Sequence, residues 1–176
     1  MDGEISARLM KLAGRHPVLD RFWVFCARYL IVGLGVWYLY VTFVGRWSAY
    51  PTLGRDLLTL LAAVIINETV SWGIGYLRFR PRPFVENHLT PLVRIAPGMK
   101  SFPSDHAVLS FTVATALLMQ YPQPNAGIVA LGIAALISVA RVVCGVHYPS
   151  DVAAGTALGI VGTVLVVSVI RIFGIF

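Results

Sequence analysis

Five apolar stretches, roughly 22–45, 56–77, 104–121, 125–143 and 150–172, approach or exceed the about 20 mainly apolar residues that a helix needs to cross a bilayer. A chain built this way has few folds open to it. Lipid offers no hydrogen bonds to the backbone, so a spanning segment must satisfy its own N–H and C=O groups, as a helix does. The sequence therefore predicts an all-α integral membrane bundle of about five transmembrane helices. A mean hydropathy of +0.78 and a charged fraction of 12% agree, since a soluble chain is about a quarter charged.

Residues 1–176 form a single expected domain, with an interfacial helix within 1–20 and the bundle over 22–172. In segment 4–15, Ile5, Leu9 and Leu12 share one helical face, and Arg8, Lys11 and Arg15 take another. That segment is too short to span and reads as an amphipathic helix on the membrane surface. No secretory cleavage site precedes the first apolar run, which is expected to stay in the mature protein. Arg28 sits one turn into that run, where its side chain can snorkel to the interface. Trp37, Tyr38, Tyr40, Trp47 and Tyr50 gather toward the far end, as at a membrane–water boundary. Cys26 and Cys144 are too few for a disulfide framework or a metal cluster and read as free thiols. The net charge of +6 lies at the ends of the apolar spans, which favours membrane lipid phosphates over nucleic acid as the partner.

Five spans place the N-terminus, the loop 78–103 and the link 144–149 on one side of the membrane. The polar residues concentrate there, in three islands. In "RFRPRPFVEN", Arg78 to Asn87, each proline disfavours α conformation in the residue before it, so the preceding helix should end near Phe79. Alternation along an extended stretch would aim Arg78, Arg80 and Arg82 together. Arg78 and Arg80 fit either headgroup anchors or phosphate ligands. Arg82, held between two prolines, reads as a phosphate clamp, because a guanidinium fork matches two phosphate oxygens at once.

The second island opens a helix with Pro103 at its first position, then Ser104, Asp105 and His106. A helix N-terminus attracts anions. The third is Arg141, His147 and Asp151, with Pro149 marking another helix start. A carboxylate that accepts the Nδ1–H of an imidazole leaves Nε2 free to attack, so Asp151 is expected to orient His147. Glu68, with Asn67, lies inside the second span, where a packing hydrogen bond to a neighbouring helix is the plainer reading and a functional carboxylate the other.

These residues resemble the signatures of the type 2 phosphatidic acid phosphatase superfamily of membrane lipid phosphatases. Its Lys-x6-Arg-Pro, Pro-Ser-Gly-His and Ser-Arg-x5-His-x3-Asp motifs are matched by Gly75 to Arg82-Pro83, by Pro103-Ser104-Asp105-His106, and by Ala140-Arg141 with His147 and Asp151. The resemblance implies that His147 is the nucleophile forming a phosphohistidine, with Asp151 orienting it and His106 protonating the leaving group. Arg82, Ser104 and Arg141 would hold the phosphate oxygens. Three positions depart from the pattern: Gly75 for Lys, Asp105 for Gly and Ala140 for Ser. Arg78 or Arg80 would then supply the lost charge. The wording "RPRPFVEN", "SFPSDHA" and "GVHYPSD" is similar to the BcrC-like undecaprenyl diphosphate phosphatases.

That branch implies hydrolysis of a polyprenyl diphosphate to recycle the lipid carrier of cell-wall synthesis. The sequence shows no metal-ligand cluster, so no metal or cofactor is expected, and no obligate protein partner is evident. The branch also implies a multi-pass protein of the inner (plasma) membrane whose site faces the extracytoplasmic side. The positive-inside rule would put the same face in the cytoplasm, but arginines that bind phosphate are not a topology signal. The nearest alternative is a phosphatidic acid, phosphatidylglycerol phosphate or lipid A phosphatase on the same scaffold. A vanadium haloperoxidase fits poorly with so short and apolar a chain, and a non-enzymatic binder leaves the His147–Asp151 spacing unexplained.

Overall fold

The computed structural model describes residues 2–12, 14–45, 50–88, 90–96, 98–121 and 124–175. Those residues form helices and connecting loops: α1 (Asp2–Leu12), α2 (Pro17–Arg28), α3 (Leu30–Gly45), α4 (Tyr50–Leu77), α5 (Pro83–Glu86), α6 (Asp105–Gln120), α7 (Pro124–Val143) and α8 (Pro149–Phe173). Within them Leu53–Leu77, Asn125–Val143 and Pro149–Phe173 are long and apolar enough to cross a membrane. The first apolar stretch is not one straight span. It breaks between Arg28 and Leu30, where α2 and α3 meet at 52°, and counting that pair as one span gives four. A cause sits at the break: Arg141 Nη1 donates to the Ala27 carbonyl at 3.1 Å, and a side chain inserted into the helical ladder is a recognised source of kinks.

The third stretch becomes α6, whose 16 residues rise about 24 Å, short of the ~30 Å hydrocarbon core. It is the central helix of the bundle, packed on by α3, α4, α7 and α8, and most of its residues are buried. It packs closely against α8. On α8 the buried residues Asp151, Gly155, Gly159, Thr163 and Val167 fall on a single i, i+4 row. A Cβ built on Gly155 would lie 2.7 Å from the Ser104 carbonyl oxygen, and one on Gly159 2.6 Å from that of Val108. The glycines let the two backbones touch, as small residues do between membrane helices. That approach brings the start of α6 against the start of α8, where Ser104 N donates to the Asp151 carbonyl at 3.1 Å.

Asn67 ties α4 to both helices of this pair. Its amide donates to Thr112 at 2.9 Å and to Thr163 at 3.1 Å. Glu68 does not make the expected packing bond; its Oε1 is buried with no partner among the described residues.

One surface expectation changes, and α1 makes contacts that the sequence does not reveal. In α1 Ser6 and Met10 are buried, packed towards α7 and α8, while Ile5 is exposed. The helix docks on the bundle because Met10 fits against Gly145, where a Cβ would come within 2.7 Å of its terminal methyl group. Tyr38, expected at the membrane boundary, is buried with its hydroxyl 2.8 Å from Gln120 Oε1, whereas Tyr40 is exposed. Trp47 and the side chains of Lys11, Leu12 and Tyr50 lie outside the described residues.

Candidate active site

The chain reverses between α7 and α8 over residues 144–148, and Gly145 makes the turn at φ +75°, a left-handed conformation that favours glycine. The link is pinned at both ends. Val146 N donates to the Arg141 carbonyl at 3.2 Å, and Leu92 N from the long loop donates to Cys144 at 3.2 Å. His147 follows, almost fully buried, and Pro149 takes the first position of α8 as the sequence predicts. Pro103 behaves differently. α6 begins at Asp105 with Ser104 as its N-cap, so Pro103 lies before the helix rather than at its first position.

His147 Nδ1 lies 2.9 Å from the Ser101 carbonyl oxygen. A carbonyl can only accept, so Nδ1 carries the proton and Nε2 keeps its lone pair. Asp151 is not the direct partner that the sequence suggests: its Oδ2 stands 3.8 Å from Nδ1. As the third residue of α8, Asp151 turns its carboxylate back to accept Tyr148 N at 2.9 Å, the usual demand of a helix start. The same oxygen accepts Ser101 Oγ at 2.5 Å. Asp151 therefore holds Ser101, and Ser101 holds His147.

Opposite Nε2 stands Arg82, with Nη1 at 3.3 Å from the ring and donating to the Val146 carbonyl at 2.9 Å. Arg82 is the N-cap of α5 and is buried. His147, Arg82, Arg141 and His106 line one open cleft of about 390 Å³, with Asp105, Arg28 and Arg94 also on its wall and Val93, Ile95 and Met99 as its apolar side. Arg141 Nε and Ser104 Oγ are buried with no hydrogen-bond partner among the described residues. Both groups therefore keep hydrogen-bonding capacity that an anion could use. Burial pushes the pKa of His147 down to about 4, the Arg141 and Arg82 charges add to this, and Asp151 pulls the other way. At neutral pH its Nε2 is therefore unprotonated. Burial also lowers the pKa of Arg82.

Arg78, Arg80 and Arg82 do not act together. Arg80 points away from the cleft: Nη1 donates to Asp151 Oδ1 at 2.9 Å, Nη2 pairs with Asp2 at 2.8 Å, and the guanidinium lies 3.8 Å over the Tyr148 ring. Two carboxylates and an aromatic face capture it more strongly than solvent would. Its pKa is raised: burial opposes the shift, but the bonds to Asp2 and Asp151 outweigh it. Arg78 is exposed, lining a separate cavity with Phe79, Arg80, Phe102 and Ser150. Neither guanidinium lines the cleft, and this corrects the expectation that one of them replaces the charge missing at Gly75.

Sequence reasoning also missed residues that the fold brings in. Arg28 reaches the cleft only because α2 ends there, and Arg94 because the long loop folds over it. Ser101 carried a signal, since it stands within the "SFPSDHAV" island, but its link between Asp151 and His147 is purely spatial. Among the described residues no group of three or more His, Cys, Asp or Glu is placed to hold a metal ion. The cleft's donors are guanidinium and imidazole groups, a set suited to an anion with several oxygens.

A family model described as the PAP2 superfamily matches residues 56–174, well over half of the chain. The chain belongs to the PAP2 superfamily. This PAP2 chain is 37% identical over 117 residues to YbjG of Escherichia coli (strain K12), a match covering 66% of the chain and 58% of that relative. It is 30% identical over 158 residues to an undecaprenyl-diphosphatase of Sulfolobus acidocaldarius. Over the same length it is 27% identical to the bacitracin transport permease protein BcrC of Bacillus licheniformis, and both matches cover 88% of the chain and 73% of the relative. These two relatives support the BcrC-like branch. The crystal structure of Aquifex aeolicus LpxE shares the fold with a TM-score of 0.71 at 23% identity, over 94% of this chain and 93% of that one. The chain thus spans about three-fifths of the first relative's length and about three-quarters of the other two.

Proposed function

We propose that this PAP2 protein hydrolyses the terminal phosphate of a polyprenyl diphosphate lipid through a phosphohistidine. One observation carries the reading: the buried, unpartnered Ser104 Oγ and Arg141 Nε belong to the segments that also bring the unprotonated Nε2 of His147 to the cleft. Arg82, Arg141 and Ser104 would hold the three equatorial oxygens of the terminal phosphate. As phosphate arrives, Arg82 turns from Nε2 to an oxygen and frees the lone pair. Nε2 attacks phosphorus, the bridging P–O bond breaks, and the lipid monophosphate leaves with a proton from His106. Water then attacks the phosphohistidine, giving its proton to His106 as inorganic phosphate departs and Nε2 is restored. Asp151 acts through Ser101 to keep His147 in the required tautomer.

The relatives named undecaprenyl-diphosphatase and BcrC support a polyprenyl diphosphate as substrate. Such a substrate would reach the cleft from the bilayer of the inner (plasma) membrane, with the site on its extracytoplasmic face. Phosphate release from a panel of polyprenyl diphosphates, phosphatidic acid and phosphatidylglycerol phosphate tests the class in one detergent. Polyprenyl diphosphates are expected to react fastest, and equal or reversed rates would remove the substrate assignment. Rapid quench with labelled terminal phosphate tests the mechanism: wild type and His106→Ala should carry acid-labile label and His147→Ala none.

A further inference from the structure

Two departures from the family motifs, Gly75 and Asp105, meet at one side chain. A Cβ built on Gly75 would lie 2.1 Å from Cδ of Lys100 and 3.0 Å from its Cε. Lys100 comes from the long loop before α6, and its stem passes through the space that the glycine leaves open on α4. The ammonium group is buried, and its three donors are all taken. It bonds Ser71 Oγ at 3.2 Å and the Pro103 carbonyl at 3.1 Å, and it pairs with Asp105. Ser71, one turn before Gly75 on α4, donates to the same Asp105 oxygen at 2.9 Å.

Asp105 is the only carboxylate among the described residues on the wall of the cleft, beside His106. A bare carboxylate there would repel an incoming phosphate. Its side chain is 31% exposed and that of Lys100 is 7% exposed, so the carboxylate faces the cleft and the ammonium stands behind it.

We propose that Lys100, threaded over Gly75, is a positioning residue that neutralises Asp105 on the wall of the anion cleft and anchors the first turn of α6. Gly75 and Asp105 are then two halves of one device: the glycine makes room for a lysine from the loop, and the aspartate receives it. Lys100 itself does not touch the phosphate. The inference rests on the reading of the cleft as a phosphate site, and the test separates the two.

Inorganic phosphate is titrated into the purified, detergent-solubilised protein by calorimetry, with KM and kcat measured in parallel. Lys100→Met should weaken phosphate binding and raise KM about tenfold or more, because the carboxylate is left unopposed beside the anion. Adding Asp105→Asn to Lys100→Met should bring phosphate affinity back to within about threefold of wild type. Gly75→Ala, whose Cβ meets both the lysine stem and, at 2.9 Å, the Phe102 carbonyl oxygen, should weaken phosphate binding at least as much as Lys100→Met. A double variant as weak as Lys100→Met would mean that Lys100 binds phosphate itself and would overturn the proposal. Should Lys100→Met fail to fold, Asp105→Asn alone still decides: binding as tight as or tighter than wild type supports neutralisation, and binding weakened tenfold refutes it. A wild-type protein that binds no phosphate would overturn the phosphate reading of the cleft, and this inference with it.

Discussion

Arg80→Ala separates a phosphate ligand from a residue that works behind the nucleophile. Arg80 Nη1 donates to Asp151 Oδ1 at 2.9 Å, and the Asp151 side chain is fully buried. Removing the guanidinium strands that oxygen, while Oδ2 keeps its bonds to Ser101 and Tyr148. A hydrogen bond to a charged group is worth about 1.5–3 kcal/mol. The Arg80 side chain is 31% exposed, and water screens part of that. A loss of about 2 kcal/mol is expected, or about 30-fold in rate. The loss should appear in kcat, because the path runs from Asp151 through Ser101 to the tautomer of His147, and none of these steps touches bound substrate. KM should stay within about twofold. Asp2→Asn, which removes only the outer partner of Arg80, should cost less than about threefold, and Arg78→Ala should cost nothing. Steady-state kinetics in one detergent read all three. If Arg80→Ala raises KM and leaves kcat intact, Arg80 is a substrate ligand and the reasoning from its two carboxylate contacts fails.

Stability should fall with acidity because of His147. The unfolded chain takes up a proton at this residue below about pH 6.5, and the folded protein resists until about 4. Folded stability is therefore lost between those values, by roughly 3 kcal/mol at the acid end. Thermal unfolding at pH 7.5 and pH 5 should show a drop that His147→Gln reduces; an identical drop in both would remove His147 as its source. Gly159→Ala places a methyl group 2.6 Å from the Val108 carbonyl oxygen and should cost about 1–3 kcal/mol, lowering Tm and activity together. An unchanged Tm would mean that α6 and α8 do not touch through their backbones. For sidedness, a cysteine at His88 should react with an impermeant thiol reagent on intact cells and one at Gly54 should not, once Cys26 and Cys144 are replaced. The reverse pattern would put the cleft in the cytoplasm.

Much of the fold is legible in the chain because lipid imposes a simple rule: a long apolar run must bond its own backbone, so the stretches that become α4, α7 and α8 announce themselves as helices. Local stereochemistry is equally plain. The prolines end α4 at Leu77 and start α8 at Pro149, and the spacing from His147 to Asp151 puts both at one helix start. The polar islands stand out because polar groups are costly in such a chain.

What joins the islands is not local. Asp151 and Ser101 are 50 residues apart, and Lys100 fills the space over Gly75 from another part of the chain. Nothing in the sequence spacing specifies those pairings. They exist because the glycines of α8 let α6 approach to backbone contact, which sets where the long loop must run. The sequence shows that the charges gather at one end of the bundle. Which of them face the cleft and which neutralise one another depends on that packing: a buried charge turns to the nearest counter-charge, and only the assembled bundle determines which one is near.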